Sequence, residues 1–163
     1  MTNPIMTVKK EIRILGLDFC HNDRITGAVV RGGQFLDGVL SIPKHPRLSD
    51  REIGLQILKT RYYPELRAVM IHDPLQRSKP KVIEKTTRLP VIHIATSKRR
   101  GRGYKMVQAT HGRLWLRTDL PSETLQRIVS LTWTFGKLPE PARIAHLLAR
   151  TRVPARPCLN DKE

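Results

Sequence analysis

The chain has 163 residues, of which 39% are hydrophobic, and its 30 Lys and Arg outnumber its 14 Asp and Glu to give a net charge of +16. This length supports one domain with a real core, and the excess charge repels itself unless a polyanion such as a phosphate backbone offsets it. No apolar run approaches the ~20 residues that cross a bilayer, and we see neither a signal peptide nor a basic amphipathic helix with a broad apolar face. A membrane protein is therefore excluded, and a cytoplasmic one is expected.

The two cysteines, Cys20 and Cys158, lie far apart without metal-ligand spacing, which favours a reducing compartment.

The first predicted strand, residues 11–20, is a short apolar run with a single acid, Asp18, near its end. Burying a lone carboxylate is costly unless it is paired, hydrogen-bonded or metal-bound. Residues 25–31 and 34–42 follow as two more strands, and the Gly-Gly pair between them is a hairpin signal because both positions tolerate a positive φ. The sequence therefore predicts a three-stranded meander with Asp18 at the end of its first strand.

A helix and a second acid-tipped strand are predicted after the meander. Ser49 is followed three residues later by a glutamate, which is the capping-box spacing, and predicts a helix over residues 49–62. Residues 66–73 are another compact apolar run, and this run ends in Asp73. A short basic helix is predicted over residues 78–88, with a proline near its first turn. The fourth strand thus repeats the pattern that marks Asp18.

The last part of the predicted domain contains one more buried strand, a basic run and two helices. Residues 90–96 are typical of a buried strand, and residues 105–117 predict one irregular or edge strand. A helix is expected from residue 122, and the last helix covers residues 139–150, with Ile144, Leu147 and Leu148 facing the core. The predicted organisation is a lead-in over residues 1–10, one domain over residues 11–150 and a tail over residues 151–163.

This element order predicts a ribonuclease H-like α/β fold: a mixed sheet, with a three-strand meander followed by parallel strands, and helices on both faces. In such a sheet the first and fourth strands lie side by side and parallel, so Asp18 and Asp73 would become neighbours. Two close carboxylates repel unless a proton or a cation lies between them, and Mg²⁺ is the usual cation beside substrate phosphates. Such a metal polarises a phosphodiester and activates a water. The alternative is that the two acids are unrelated and hydrogen-bond nearby loops.

Basic residues with glycines and an aromatic ring predict a nucleic-acid contact. Glycines let the backbone approach phosphates, arginine offers bidentate contacts, and tyrosine can stack on a base. A flexible solvated loop is the alternative. The residues assigned to nucleic-acid binding are Lys98, Arg99, Arg100, Arg102, Tyr104 and Lys105 in and beside the run SKRRGRGYK, and Arg77, Lys79 and Lys81 after the fourth strand.

The histidines are less informative than the acids. His72 lies beside Asp73 and could bind a metal or transfer protons, but as an alternating strand residue it could equally face the other side of the sheet. His93, His111 and His146 have apolar neighbours in sequence, and we expect them to be packed in the core.

Five segments carry a family resemblance. VKKEIRILGLDF, GAVVRGGQFLDGVL, AVMIHD, RLPVIHIATSK and LPEPARIAHLLAR resemble the uncharacterised archaeal family related to endonuclease V, over residues 8–150. The resemblance implies a ribonuclease H-like fold. Endonuclease V cuts nucleic acid near deaminated adenine with Mg²⁺ held by strand-end carboxylates, so the resemblance also implies catalytic and metal-binding roles for Asp18 and Asp73.

The sequence departs from this family by losing acids and gaining bases near the implied site. Phe19 follows Asp18 where the family has a second acid, and no counterpart of the strand-separating wedge is visible. Residues 41–49 are basic where an acidic stretch is expected, and residues 74–81 replace a Gly-rich segment. The acids left as third ligands are Glu84, Asp37 and Glu52, none of which aligns with a family ligand.

These departures decide which function the sequence favours. Lysines beside a two-metal centre oppose metal binding, and too few acids remain to hold it. The sequence therefore predicts a protein that binds structured RNA, such as ribosomal RNA or another ribonucleoprotein, on a degenerate endonuclease V-like scaffold, with DNA as a less favoured partner. The alternative is an active Mg²⁺-dependent endonuclease acting on inosine-containing DNA or RNA. Without catalysis, no cofactor is expected.

Overall fold

The structure, a computed structural model, describes residues 7–21, 23–95 and 103–151. The predicted tail from residue 152 onward lies outside the described residues. So does most of the predicted basic loop, with the assigned residues Lys98, Arg99, Arg100 and Arg102. The predicted domain boundaries therefore stay predictions.

Within the described ranges the chain forms a seven-stranded mixed sheet with the order β3-β2-β1-β4-β5-β7-β6. The central strand β1 pairs with β2 antiparallel and with β4 parallel, and β5 continues the parallel part. The strands are β1 (Arg13–Asp18), β2 (Arg24–Arg31), β3 (Phe35–Pro43), β4 (Leu66–His72), β5 (Val91–Ala95), β6 (Lys105–Ala109) and β7 (Gly112–Arg117). This is the ribonuclease H-like arrangement that the element order predicts.

Helices cover both faces of the sheet, as predicted. The helices are α1 (Asp50–Leu58), α2 (Pro80–Thr87), α3 (Ser122–Thr132) and α4 (Glu140–Arg150), with a short 3₁₀ turn at Tyr63–Glu65. Leu15 and Leu17 of β1 share one core with α1 and α2, whereas Ile14 shares the other core with α3 and α4. Because strand side chains alternate between faces, the even-numbered residues of β1 point towards α4.

The predicted turn and capping signals are confirmed. Gly32 and Gly33 have φ values of 59° and 75°, which the two-strand connection requires. Ser49 is the N-cap of α1, and its Oγ accepts a hydrogen bond of 3.1 Å from the backbone N–H of Glu52. The helix ends at Leu58, four residues before its predicted end, and the chain then turns into β4.

Of two predictions about the second half of the domain, one is wrong and the other is only partly right. Residues 105–117 form the hairpin β6-β7 and not a single strand, with the turn at His111. In α4, Ile144 and Leu148 are partly buried against the core as predicted, but Leu147 is 46% exposed. The fully buried positions of the helix include the alanines Ala142 and Ala145. The reason is a close helix–sheet approach, since a Cβ built on Gly16 of β1 would lie 1.9 Å from the carbonyl oxygen of Pro141.

Among the described residues, no helix combines the length and the apolar character needed to cross a membrane.

Candidate functional site

Strand register determines which side chain meets Asp18. In the parallel β1–β4 pair, Asp18 lies opposite His72, and Leu17 lies opposite Ile71. Successive strand residues point to opposite faces, so Asp18 and His72 share the α4 face. Asp73, the next residue, follows the alternation towards the other face. The structure therefore brings the Asp18 carboxylate into direct contact with His72.

The Asp18 carboxylate is fully buried and accepts three hydrogen bonds. Its Oδ2 accepts from Nδ1 of His72 at 2.7 Å and from Nδ1 of His146 at 2.9 Å, and its Oδ1 accepts from the backbone N–H of Cys20 at 3.0 Å. Burial by itself raises the pKa of Asp18, but these hydrogen bonds outweigh it, with His72 the largest contributor, so the pKa lies below its ordinary value. A buried carboxylate with three donors is a satisfied anion.

Cys20 completes a group of metal-ligating side chains around Asp18. Its Sγ lies 3.8 Å from Nδ1 of His72, and the ligand atoms of Asp18, Cys20, His72 and His146 all lie within 4.8 Å of one another. Burial, followed by the charge of Asp18, raises the pKa of the Cys20 thiol to about 12. The nearby Lys44 charge lowers this pKa only in part, so the thiol is neutral at physiological pH unless a metal ion binds it.

Asp73 is buried but serves its own loop. Its Oδ2 accepts hydrogen bonds of 2.7 Å from both the backbone N–H and the hydroxyl of Ser78. Its Oδ1 is also buried, and within the described part of the chain it has no hydrogen-bond partner. One oxygen of Asp73 thus fixes the loop that leads into α2, and its other oxygen accepts no hydrogen bond from the described residues.

The three acids considered as third ligands have other roles. Glu84 accepts a hydrogen bond of 3.0 Å from the backbone N–H of Val91, and so joins α2 to β5. Asp37 pairs with Arg13 at 2.7 Å, and Glu52 accepts a hydrogen bond from a neighbouring turn of α1. None of the three belongs to the group of ligating atoms around Asp18.

A small basic pocket adjoins the carboxyl end of β1. It has a volume of about 190 Å³, and Phe19, Lys44, His45 and Arg77 are among the residues that line it. The ammonium group of Lys44 donates hydrogen bonds to the carbonyl oxygens of Phe19, at 2.9 Å, and His21. Burial lowers the pKa of Lys44, and the nearby charge of Arg77 lowers it further. Asp50 also lines the pocket, so its charged side chains are two cations and one acid, which leaves an excess of positive charge next to the Asp18 edge.

The other described basic residues that were assigned to nucleic-acid binding differ in their contacts within the protein. Lys79 and Lys105 are exposed, and Lys105 donates to the Ser122 hydroxyl at 3.4 Å. Lys81 forms an ion pair with Asp119.

Tyr104, predicted to stack on a base, has polar and cationic neighbours within the fold. Its hydroxyl lies 2.6 Å from Nδ1 of His93, and the guanidinium carbon of Arg117 lies 5.1 Å from the centre of its ring. In the structure this ring therefore joins the edge of β5 to β7, and its role in base stacking stays a prediction.

Sequence reasoning missed two of the three residues around Asp18. His146 was expected in the core but lies on α4, 128 positions from Asp18 in the sequence, and reaches it with a side chain that is 30% exposed. Cys20 was read only as a sign of a reducing compartment. The signal that could have found it is its position two residues after the buried acid, in the loop that leaves β1.

The donors at Asp18 do not fit the magnesium site that the family resemblance implies. Mg²⁺ prefers oxygen ligands and retains several waters. Here the side-chain ligand atoms grouped with the carboxylate belong to two imidazoles and a thiol, and Lys44 lines the adjoining pocket. Mg²⁺ between Asp18 and Asp73 therefore stays a prediction, and the observed donor set does not favour it.

Sequence comparison finds archaeal relatives. No family model matches the chain. A UPF0215 protein of Methanosarcina barkeri is 29% identical over 178 residues, covering 87% of this chain and 91% of its own. A UPF0215 protein of Methanosarcina mazei is likewise 29% identical, with the same coverage.

Structure comparison confirms the fold. A protein of unknown function from Archaeoglobus fulgidus has a TM-score of 0.69 at 17% identity, over 85% of this chain and 96% of that chain. Endonuclease V from Bacillus subtilis has a TM-score of 0.62 at 14% identity, over 91% of this chain and 84% of that chain. The Argonaute of Marinitoga piezophila, in complex with guide RNA and target DNA, has a TM-score of 0.58 at 13% identity, over 88% of this chain and 30% of that chain.

Proposed function

We propose that this ribonuclease H-like protein binds structured RNA through its phosphate backbone, at the carboxyl edge of the sheet, as part of a ribosome or another ribonucleoprotein. The observation that carries the proposal is the basic pocket at the end of β1, where Lys44 and Arg77 meet beside the buried Asp18. This is the edge at which open α/β sheets usually bind ligands.

The pocket suits a phosphate group better than a nucleoside or another small molecule. Its volume of about 190 Å³ is below the range of about 300 to 1,000 Å³ that is typical of small-molecule sites. Arg77 and Lys44 are close enough for one charge to lower the pKa of the other. A phosphate between or beside them relieves that repulsion, and a guanidinium binds phosphate in a bidentate manner.

The charge of the whole chain supports a polyanion in preference to a single phosphate. The net charge is +16, and Arg77, Lys79 and Lys105 are exposed. Several phosphate contacts of this kind give affinity without reading bases, which is how proteins often recognise double-stranded RNA by its shape. The Argonaute neighbour, whose structure is in complex with guide RNA and target DNA and resembles this fold over 30% of its own chain, supports a nucleic-acid partner.

Charge reversal tests this surface directly. The double variant Arg77→Glu/Lys79→Glu is expected to bind an RNA hairpin about tenfold or more weakly, because two phosphate contacts become repulsive. The slope of log K against log salt is expected to fall by about 2. Fluorescence anisotropy of a labelled hairpin at several salt concentrations measures both quantities.

The matched control is Lys59→Glu/Arg61→Glu, which makes the same charge change near the start of β4, at the opposite edge of the sheet. We expect this variant to bind nearly as the wild type does. Equal losses in both double variants would show that net charge alone drives binding and would contradict the proposed surface.

Tighter binding to a DNA duplex than to the RNA hairpin would contradict the choice of RNA. Failure to co-sediment with ribosomal subunits at moderate salt would contradict the proposed ribosomal partner.

A second candidate, an endonuclease, is favoured by one observation: the buried Oδ1 of Asp73 lacks a hydrogen-bond partner in the described part of the chain. Incubation with inosine-containing and ordinary DNA and RNA, with Mg²⁺ or Mn²⁺, tests it. Cleavage that is lost in Asp73→Asn would support this candidate. No cleavage of any substrate by the folded wild type would reject it.

A further inference from the structure

Four side chains with metal-ligating atoms converge where β1, β4 and α4 meet. Asp18 ends β1, Cys20 lies in the loop that follows, His72 ends β4, and His146 comes from α4. One carboxylate oxygen, one sulfur and two imidazole nitrogens lie within 4.8 Å of one another. A group assembled from three separate elements is held in place by the packing of the whole domain.

The ligand atoms lie near the spacing of a tetrahedral site, with two pairs closer than in such a site and none farther apart than 4.8 Å. In a zinc site with bonds of about 2.0 to 2.3 Å, neighbouring ligand atoms lie about 3.3 to 3.8 Å apart. Here Cys20 Sγ lies 3.8 Å from His72 Nδ1, while the Asp18 oxygen lies 2.7 Å from His72 and 2.9 Å from His146. The two short distances are hydrogen bonds, and a metal that replaces those two Nδ1 protons moves these atoms apart by about half an ångström. Pairs of ligand atoms that lie as far as 4.8 Å apart move closer by about 1 Å.

The donor types select the class of metal. Imidazole and thiolate suit zinc and similar late transition metals, whereas Mg²⁺ and Ca²⁺ require oxygen. A carboxylate and a thiolate together carry two negative charges, which balance a divalent cation, so the loaded site is neutral where Asp18 is fully buried. Access is available from the α4 side, because the His146 side chain is 30% exposed.

We propose that Asp18, Cys20, His72 and His146 bind one zinc-class divalent cation in a tetrahedral site that ties α4 to the central strands. All four coordination positions are filled by protein atoms, which is the pattern of a structural zinc site and leaves no open position for a reacting water. The metal site is distinct from the proposed RNA surface although the two adjoin, because none of the four ligands is among the residues that line the pocket with Lys44 and Arg77.

Cobalt titration of the full chain tests the proposal. Protein freed of metal with a chelator and kept reduced is titrated with Co²⁺, which reports tetrahedral coordination by strong visible d–d bands and thiolate coordination by a near-ultraviolet charge-transfer band. We expect both signals to saturate at one Co²⁺ per chain, to be displaced by Zn²⁺ and to persist in excess Mg²⁺. Absence of saturable one-to-one uptake by the folded wild type would overturn the proposal.

Matched variants assign the ligands. Cys20→Ser is expected to abolish the charge-transfer band and to weaken Co²⁺ binding at least tenfold, whereas Cys158→Ser, a change of the other cysteine, leaves the spectrum unchanged. His146→Ala is expected to weaken binding similarly, with His111→Ala in the β6-β7 turn as its control. Circular dichroism checks that each variant is folded. A charge-transfer band that survives in Cys20→Ser and disappears in Cys158→Ser would overturn the assignment.

Discussion

Replacing Gly16 by alanine is expected to destabilise the protein by about 3 kcal/mol, at the upper end of the usual cost of overpacking. The added Cβ would lie 1.9 Å from the carbonyl oxygen of Pro141 and 2.7 Å from the backbone nitrogen of Ala142. These are backbone atoms at the start of α4, so the clash can be relieved only if the whole helix moves away from β1. The better strand propensity of alanine over glycine offsets less than about 1 kcal/mol of this cost.

Urea denaturation measures this effect, and a glycine in the neighbouring strand provides the control. Gly27→Ala adds the same methyl group in β2, where its nearest neighbours are side-chain atoms of Leu40 and Leu15 at 3.1 and 3.2 Å. Side chains can shift by a few tenths of an ångström, so this variant is expected to lose less than half as much stability. Equal stability of the two variants would show that α4 is not held tightly against β1.

Replacing Asp18 by alanine is expected to cost about 3 kcal/mol even in the presence of a chelator. The change leaves the ring N–H groups of His72 and His146 and the backbone N–H of Cys20 without their common acceptor. Each buried donor left unsatisfied costs about 1 to 3 kcal/mol. The His146 side chain is 30% exposed and can be hydrated, so the full sum is not reached.

The matched control removes an acid that is not buried. Asp119 pairs with Lys81, but its side chain is 68% exposed, and exposed pairs contribute about 0 to 1 kcal/mol. Asp119→Ala is therefore expected to change the free energy of unfolding by less than about 1 kcal/mol. If Asp18→Ala were as mild as Asp119→Ala, the three hydrogen bonds would not form a coupled network.

The sequence identified Asp18 for a physical reason but could not identify all of its neighbours. A lone acid closing a buried apolar strand needs partners, and this is visible without a structure. Which partner it meets depends on the β1–β4 register, and a shift of one residue exchanges His72 for Asp73. No turn or spacing signal in the sequence fixes that register.

The buried face of α4 differs from its sequence pattern for a related reason. Large apolar residues normally indicate the buried face of a helix, so Leu147 was expected in the core. Close contact at Gly16 instead favours small side chains, and Ala142 and Ala145 are fully buried. Turning the helix onto its alanines also directs His146 to Asp18. Such a long-range contact depends on the assembled packing and leaves no local pattern.

The distance in sequence between Asp18 and His146 has a consequence for synthesis on the ribosome. The two residues are 128 positions apart, so the acid is translated long before the helix that covers it. Contacts between distant segments form late, and incomplete chains expose surface that is later buried. A nascent chain that stops short of α4 is therefore left with an uncovered central strand, which makes completion of this helix the step that protects the chain from proteases and aggregation.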